Sequence, residues 1–509
     1  MKKARVLLIF PNILGTEGGI NRIQPGMGIA FLAAALRKEG HEVFVRDTAL
    51  EGWGNRVPSS DGFSVRIGES DEEIVKCIED IRPDIVGVSL MFSNAVQFTK
   101  GLTKAIKSAC PHIQIALGGN YATNAAKDYF YAIENNLRDS MLENLFVPGL
   151  MDENIDYVMV GESDREFPEL VGCLMNGGDA RKVGNLVYSD GTFPKFTYKA
   201  KPVDLGSLPI PAWDLFNMSK YFEIGAYQSP RTNARKILPI MATRGCPEKC
   251  SFCSTPETWG RAVRWREPKE IKREIIAAKQ FFGGLDEVQI IDDSITANLE
   301  RLYELCDVLE DEGLRWCTPN GTKANYHMPK QPEYYARMKR AGCYQITISV
   351  ETGNQHVMDN CTGKRLKICE AAKAVENAKN AGLFVHTAWM VGFPGETRED
   401  MERSMYFAAN VASDSYSVSI VSPLPGTRLY RVAVEKELFW PDVHGIESMR
   451  TNTSLIKADG FGSPLEFEGW VQGQNRMLNE LLSKRDPDRY NSMEKLRDSK
   501  LRGVFLKQT

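Results

Sequence analysis

The sequence predicts an α/β protein in two units, a doubly wound parallel sheet followed by a partial (β/α)6 barrel. Three observations predict it. Short apolar runs alternate with helical stripes up to about residue 165, the same alternation resumes from about 236 to 432, and a proline-bearing stretch separates the two. Within 1–165 the candidate strands are 6–10, 42–46, 85–90, 113–117 and 157–160. Helix periodicity marks 28–38 and 71–81, where Ile74, Ile78 and Ile81 share a stripe with Cys77.

Residues 166–235 read as a connector. Its stretch 208–216, Leu-Pro-Ile-Pro-Ala-Trp-Asp-Leu-Phe, carries two prolines, which favour an extended strap. Within 236–432 the expected strands are 238–243, 287–291, 315–318, 345–350, 385–391 and 416–421, with helices such as 267–281 and 370–381 between them. Six strands in this order make a partial barrel with its chemistry at the carboxyl ends. Residues 433–509 are mixed and charged, carry Trp440, Trp470 and a helical stretch 468–484, and are expected over the barrel mouth.

The chain has 509 residues, 43% hydrophobic and 25% charged, with 63 basic against 66 acidic side chains. That balance fits a soluble globular protein and gives no electrostatic footprint for nucleic acid. No apolar run approaches the roughly 20 residues of a membrane span. The first apolar run is too short for a secretory signal and stops at Pro11-Asn12. A cytoplasmic location is expected, where the eleven cysteines stay reduced.

Three of those cysteines carry the chemistry. Cys246, Cys250 and Cys253 stand in Arg244-Gly-Cys-Pro-Glu-Lys-Cys-Ser-Phe-Cys, a C-x3-C-x2-C loop directly after the apolar run 237–243. Three thiolates on one loop can hold three irons of a cubane cluster and leave the fourth open to a small molecule. A zinc site would need four ligands, and no His lies between Cys253 and His327.

This loop resembles that of the radical S-adenosylmethionine enzymes. The resemblance implies a [4Fe-4S] cluster on Cys246, Cys250 and Cys253, and S-adenosylmethionine on its open iron. Phe252 would then sit against the adenine, Lys323 would face the methionine carboxylate and Glu351 the sugar or amino group. Gly392, Pro394 and Gly395, in Met390-Val-Gly-Phe-Pro-Gly-Glu396, would offer backbone to the adenine. For Lys323 a solvated surface role is the alternative. Asp292-Asp293, at the second strand's end, is read at least equally as a helix cap.

The N-terminal unit is similar to the cobalamin-binding domain that precedes many of these barrels. The likeness lies in the order Ile-Phe-Pro11, Gln24-Pro-Gly-Met-Gly, Gly40-His-Glu-Val, Asp84-Ile-Val-Gly-Val-Ser89, Gly118-Gly119-Asn120 and Asp156-Tyr-Val-Met-Val-Gly161-Glu162. It implies a Rossmann-like domain and corrin contacts from Pro11, Gln24, Gly26, Ser89, Gly118, Gly119, Asn120, Gly161 and Glu162. One departure stands out. The Asp-x-His-x-x-Gly loop that supplies a lower axial His is missing, Ala49 standing where the His would be in Asp47–Gly52. Cobalt without a His from this chain is expected, and His41 reads as a turn residue.

Together these features imply a cobalamin-dependent radical methyltransferase acting on an unactivated carbon of a small-molecule substrate. It would work through a 5′-deoxyadenosyl radical and methylcobalamin, and an external flavodoxin- or ferredoxin-like donor would supply electrons. A cyclase or oxidative rearrangement enzyme using the same cofactors is the alternative. A corrin sensor without chemistry would have no use for an open cluster. A methylthiotransferase would need a second cysteine triad at N-terminal strand ends, and the N-terminal cysteines lie on predicted helices.

Overall fold

The computed structural model describes residues 2–16, 21–59, 64–135, 154–191, 193–228, 234–441, 453–488 and 491. The first unit is a seven-stranded sheet in the order Pro194–Phe196, Leu186–Ser189, Tyr157–Met159, Gln114–Gly118, Ile85–Ser89, Arg5–Phe10, Glu42–Asp47. The five strands from Tyr157–Met159 to Glu42–Asp47 run parallel. Their order reverses between Arg5–Phe10 and Ile85–Ser89, and ligands of such sheets bind outside the carboxyl ends at that switch point. Val6, Leu8 and Ile85 pack toward helix Met27–Lys38, while Leu7, Ile9 and Val86 pack toward Ile74, Ile78 and Leu102 on the other face. His41 is the buried turn residue expected, its Nδ1 accepting from the Ala4 amide at 3.1 Å.

The sheet continues beyond the expected boundary at 165. Helix Glu166–Met175 and the antiparallel strands Leu186–Ser189 and Pro194–Phe196 complete it, so the connector begins near 200 rather than at 166. These strands are three and four residues long, too short to announce themselves by alternation. A small antiparallel sheet of Ile13–Thr16, Ser64–Ile67 and Arg56–Pro58 was not anticipated either.

The second unit is a six-stranded, all-parallel sheet in sequence order: Ile237–Ile240, Glu287–Ile290, Arg315–Lys323, Cys343–Glu351, Phe384–Val391 and Ser415–Ile420. Alternate strand residues (Val288 and Ile290, Ile346 and Ile348) join Ile271, Ile275, Ala371 and Val375 of the surrounding helices in one core. The expected six-strand barrel is present, with two adjustments. The third strand runs to Lys323, not 318, because a register shift between Thr318 and Gly321 absorbs Pro319 and Asn320. The tail helix Pro464–Arg485 lies along the sixth strand, an edge of the sheet, and reaches the mouth where Phe467 meets Gly392. Along that strand Asn475 accepts from the Val418 amide and donates to its carbonyl, both at 2.9 Å, satisfying an edge that would otherwise be bare. Nearer the mouth, Ile456 packs with Phe393 and Leu429. The expected tail reaches outside the described residues at 442–452, 489–490 and 492–509. Among the described residues no helix is long and apolar enough to cross a membrane.

Candidate functional site

Beyond the first barrel strand, Thr243–Arg244 pairs antiparallel with Arg264–Trp265 and closes the cysteine loop at its base. Gly245 opens the loop at φ 103°, where a Cβ would lie 2.2 Å from the Ala262 carbonyl oxygen. Neighbouring loops pin it. The Ser251 amide donates to the Thr362 carbonyl at 2.8 Å, and the Ser251 hydroxyl to the Cys361 carbonyl at 2.6 Å. The Leu429 amide donates back to the Ser251 carbonyl at 2.9 Å. Glu248, between the first two cysteines, accepts from Lys323 at 2.7 Å and from the Tyr326 hydroxyl at 2.8 Å.

Burial pushes the Cys246 and Cys253 thiols up and carries Cys250 to about 12; Cys246 also feels the charge of Cys253, and Cys250 that of both others. A coordinating metal removes such protons outright. Lys364, which the sequence analysis did not single out, is buried and donates to Glu351 and to the Ser349 carbonyl, both at 2.6 Å. Burial works against its ammonium, but the charge of Glu351, joined by Cys250 as a thiolate, outweighs burial and holds it charged. Glu351 ends the fourth strand at φ 74°, beside a register shift. A non-glycine residue held there costs about 1–3 kcal/mol, the kind of strain that gathers at functional sites.

Other strand ends complete this face. Asp292 accepts from the Ala242 amide at 2.7 Å, and burial carries its carboxyl to about 7. Asp293 accepts from Thr255 at 3.2 Å and is raised by burial to about 6. Both therefore brace the cysteine loop and the first strand, and neither caps the next helix, whose N-cap is Asn298. Phe252 meets Phe393 edge-on at 5.8 Å. The turn bearing Phe393 is fixed by Glu396, whose Oε2 accepts from the Gly392 and Phe393 amides at 2.7 and 3.0 Å. Gly392 faces the tail helix, a Cβ there lying 2.8 Å from the Phe467 ring; Pro394 is half-buried and Gly395 exposed.

The N-terminal unit turns its strand ends toward the same loop. Asn120 donates to Ser254 at 3.2 Å and accepts from Thr258, tying the fourth strand's end to the residues after Cys253. Glu162 pairs with Arg264 and, at 3.2 Å, with Arg244, which also grips Asp164 at 2.6 and 3.1 Å. Arg244 is 2% exposed and lies over the Phe31 and Trp259 rings. Of the nine residues expected at a corrin, Asn120 and Glu162 thus also lock the two units together, and Gly161 donates to Thr123 at 2.9 Å close to the Thr258 carbonyl. Gly118 and Ser89 pair across neighbouring strands, and Pro11 is buried. Gly26 packs on Phe10 at the start of helix Met27–Lys38.

A cavity of about 350 Å³ opens between the units. Leu14, Gly15, Thr16, Phe92, Ser93 and Asn94 wall it on one side, with Phe252, Met390, Ser419, Ile420, Ser422 and Leu424 on the other. Phe252 belongs to both the cysteine loop and this wall. Sequence reasoning missed residues 14–16 and 92–94, which follow the two strands flanking the switch point.

The donor sets fit the three groups that the sequence implies. Three thiols on one braced loop, beside a buried ammonium, suit an anionic cluster. Among the described residues no trio of His, Cys, Asp or Glu is spaced for one shared ion. On the N-terminal side, Ser93 Oγ and Gln24 Oε1 are buried and have no hydrogen-bond partner among the described residues, groups that an amide-rimmed macrocycle can satisfy.

Comparison with known proteins agrees with both halves. The B12 binding domain model matches residues 20–135 and the Radical SAM superfamily model residues 240–408. The chain is 30% identical over 504 residues to cytidylyl-2-hydroxyethylphosphonate methyltransferase of Streptomyces wedmorensis, covering 93% of this chain and 90% of that one. The fold is that of the radical S-adenosylmethionine methyltransferase TsrM from Kitasatospora setae, with a TM-score of 0.68 at 15% identity, covering 98% of this chain and all of that one. The cobalamin-dependent S-adenosylmethionine radical enzyme OxsB superposes with a TM-score of 0.65 at 13% identity, over 99% of this chain and 72% of that one.

Proposed function

Given that the chain belongs to the cobalamin-dependent radical S-adenosylmethionine methyltransferases, we propose that it methylates an unactivated carbon of a small molecule held between its two units. The observation that carries this reading is the shared cavity, walled by the cysteine loop's Phe252 and by the loops at the switch point of the N-terminal sheet. When bound, the cluster with S-adenosylmethionine supplies hydrogen abstraction, and methylcobalamin supplies the methyl group.

The chain's own residues bind, orient and exclude water. Cys246, Cys250 and Cys253 hold the cluster, and the Lys364 ammonium offsets its negative charge. Phe252 and Phe393 give the adenine an apolar wall, and Glu351 faces the sulfonium substrate's sugar or amino end. Lys323 acts first on Glu248, stiffening the loop, and reaches the methionine carboxylate only by sharing that contact. Gly15, Gly118 and Gly119 let backbone approach the corrin, while Ser93 and Gln24 meet its amide rim. No catalytic acid or base is needed for hydrogen abstraction. The oxygen-sensitive cluster calls for a cytoplasmic setting and an external one-electron donor.

Anaerobic reconstitution with iron, sulfide and hydroxocobalamin tests the reading. About four irons and one corrin per chain are expected, along with 5′-deoxyadenosine and S-adenosylhomocysteine on turnover. With methyl-labelled S-adenosylmethionine, the label should appear in the product. Cleavage with no label retained in any product would overturn methylation and favour the cyclase or rearrangement reading.

A further inference from the structure

We propose that the cavity continues down the inside of the barrel as a lumen for an uncharged, hydroxyl-rich end of the substrate, recognised by His386 with Ser415 and Ser417. The inference rests on the methyl-transfer reading above and adds to it the chemical class of the molecule.

A barrel interior is ordinarily filled by bulky Val, Ile and Leu side chains. Here those residues face outward: Val385, Val391, Val418 and Ile420 are buried in the core shared with the helices. The inward positions carry small or polar groups instead. Thr347, His386 and Ser415 stand side by side on neighbouring strands, and Ser349, Ala388 and Ser417 form the next row toward the mouth. Above them Met390 pairs with Ser419, and both wall the cavity. His386 lies four residues below Met390, a reach of about 13 Å along a strand.

The strand Phe384–Val391 has a strand on either side, and Trp389 on its outer face meets Phe407 of helix Arg398–Val411 at 6.1 Å. Yet His386, Ala388 and Met390 are half-buried where Val385, Trp389 and Val391 are buried. Ser417 and Ser419 repeat the pattern on the next strand. Exposure on alternate residues of an enclosed strand places open space inside the barrel.

His386 Nδ1 is hydrogen-bonded to Ser415 Oγ at 2.7 Å, and Nε2 to Ser417 Oγ at 3.1 Å. A serine hydroxyl donates one hydrogen bond and accepts two. The two serines therefore fix the ring and keep capacity for a ligand hydroxyl, which donates and accepts in the same way. One row below, Gln289 is buried, and its Oε1 has no hydrogen-bond partner among the described residues. A ligand hydroxyl would satisfy it. The segments 345–349, 384–390 and 415–419 contain no Asp, Glu, Lys or Arg. Glu287 and Arg315 pair in register at the amino ends of their strands, below this stretch. A charged ligand group would thus be buried in the lumen without a counter-charge on those segments.

The test is saturation-transfer NMR on the reconstituted holoenzyme, with S-adenosylhomocysteine filling the adenosine site. The probes are methyl β-D-glucoside, glucuronate and cyclohexanol, rings of one size that differ in hydroxyls and charge. Transfer to the glucoside should exceed transfer to the other two. It should fall about tenfold in His386→Phe and vanish in Ala388→Leu, which fills the lumen. Iron content, corrin content and Tm of Ala388→Leu should stay at wild-type values, whereas in a packed interior the added leucine would lower Tm. A lowered Tm would overturn the proposal, as would glucuronate or cyclohexanol matching the glucoside. So would a wild type that holds cluster and corrin but binds no glucoside. A wild type that binds the glucoside yet never cleaves S-adenosylmethionine would instead overturn the methyl-transfer reading and leave the lumen standing.

Discussion

The two α/β units meet at the carboxyl ends of their strands, yet they prepare those ends in opposite ways. The N-terminal unit ends in small residues and open backbone: Gly15, Ser89, Gly118, Gly119 and Ser93. The barrel ends in thiols and buried charge: three cysteines, the Glu351–Lys364 pair, and Asp292 and Asp293. A large preformed macrocycle brings its own metal and asks mainly for room and amide partners. An inorganic cluster with a charged co-substrate asks for ligands, and each buried charge then needs a counter-charge. Arg244, Glu162 and Asp164 sit where the two styles join.

The largest expected effect lies on the barrel side. Cys246→Ala/Cys250→Ala/Cys253→Ala should reduce S-adenosylmethionine cleavage to background, with corrin uptake, read by absorbance, unchanged; lost uptake would break the division of labour. Next comes Lys364→Met, which leaves the Glu351 carboxylate buried without its partner. A loss of about 3–5 kcal/mol in chemical denaturation is expected, and a Lys364→Met/Glu351→Leu double variant should recover most of it.

Glu396 sharpens the barrel's dependence on buried carboxyls. Burial raises it to about 7 from an ordinary 4.5. Its contribution to stability is therefore complete below pH 4.5 and lost as pH rises through 7. The loss is about 3 kcal/mol, so the fall in stability between pH 5 and 8 should be shallower by that amount in Glu396→Gln. The smallest effect belongs to the N-terminal unit. Gly119 sits at φ 100° and ψ 175°, with a Cβ position 2.6 Å from the Leu90 carbonyl oxygen. Gly119→Ala should cost about 1–3 kcal/mol and weaken corrin retention, leaving iron content intact. Equal loss of iron would show that the two units do not load independently.

Much of this was legible in the chain. The six barrel strands were readable because each buries alternate residues in one core, and the cysteine loop because ligand spacing is local. The short strands 186–189 and 194–196 were not, since three or four residues carry too little pattern to separate from a loop. Lys364 was hidden for a different reason. A lysine followed by Arg365 and Lys367 reads as solvated surface, and only the fold turns that one side chain inward against Glu351 and Cys250.

The sequence by itself determined the local chemistry: a C-x3-C-x2-C loop after a strand, glycines where backbone must come close, and no axial His at position 49. Those are properties of neighbours along the chain. The tertiary structure decided which side chains counter each buried charge, that Asn120 and Glu162 bind the barrel, and where the cavity opens. Those pairings join residues up to about a hundred and forty positions apart, and no local pattern encodes a partner chosen by how two sheets pack.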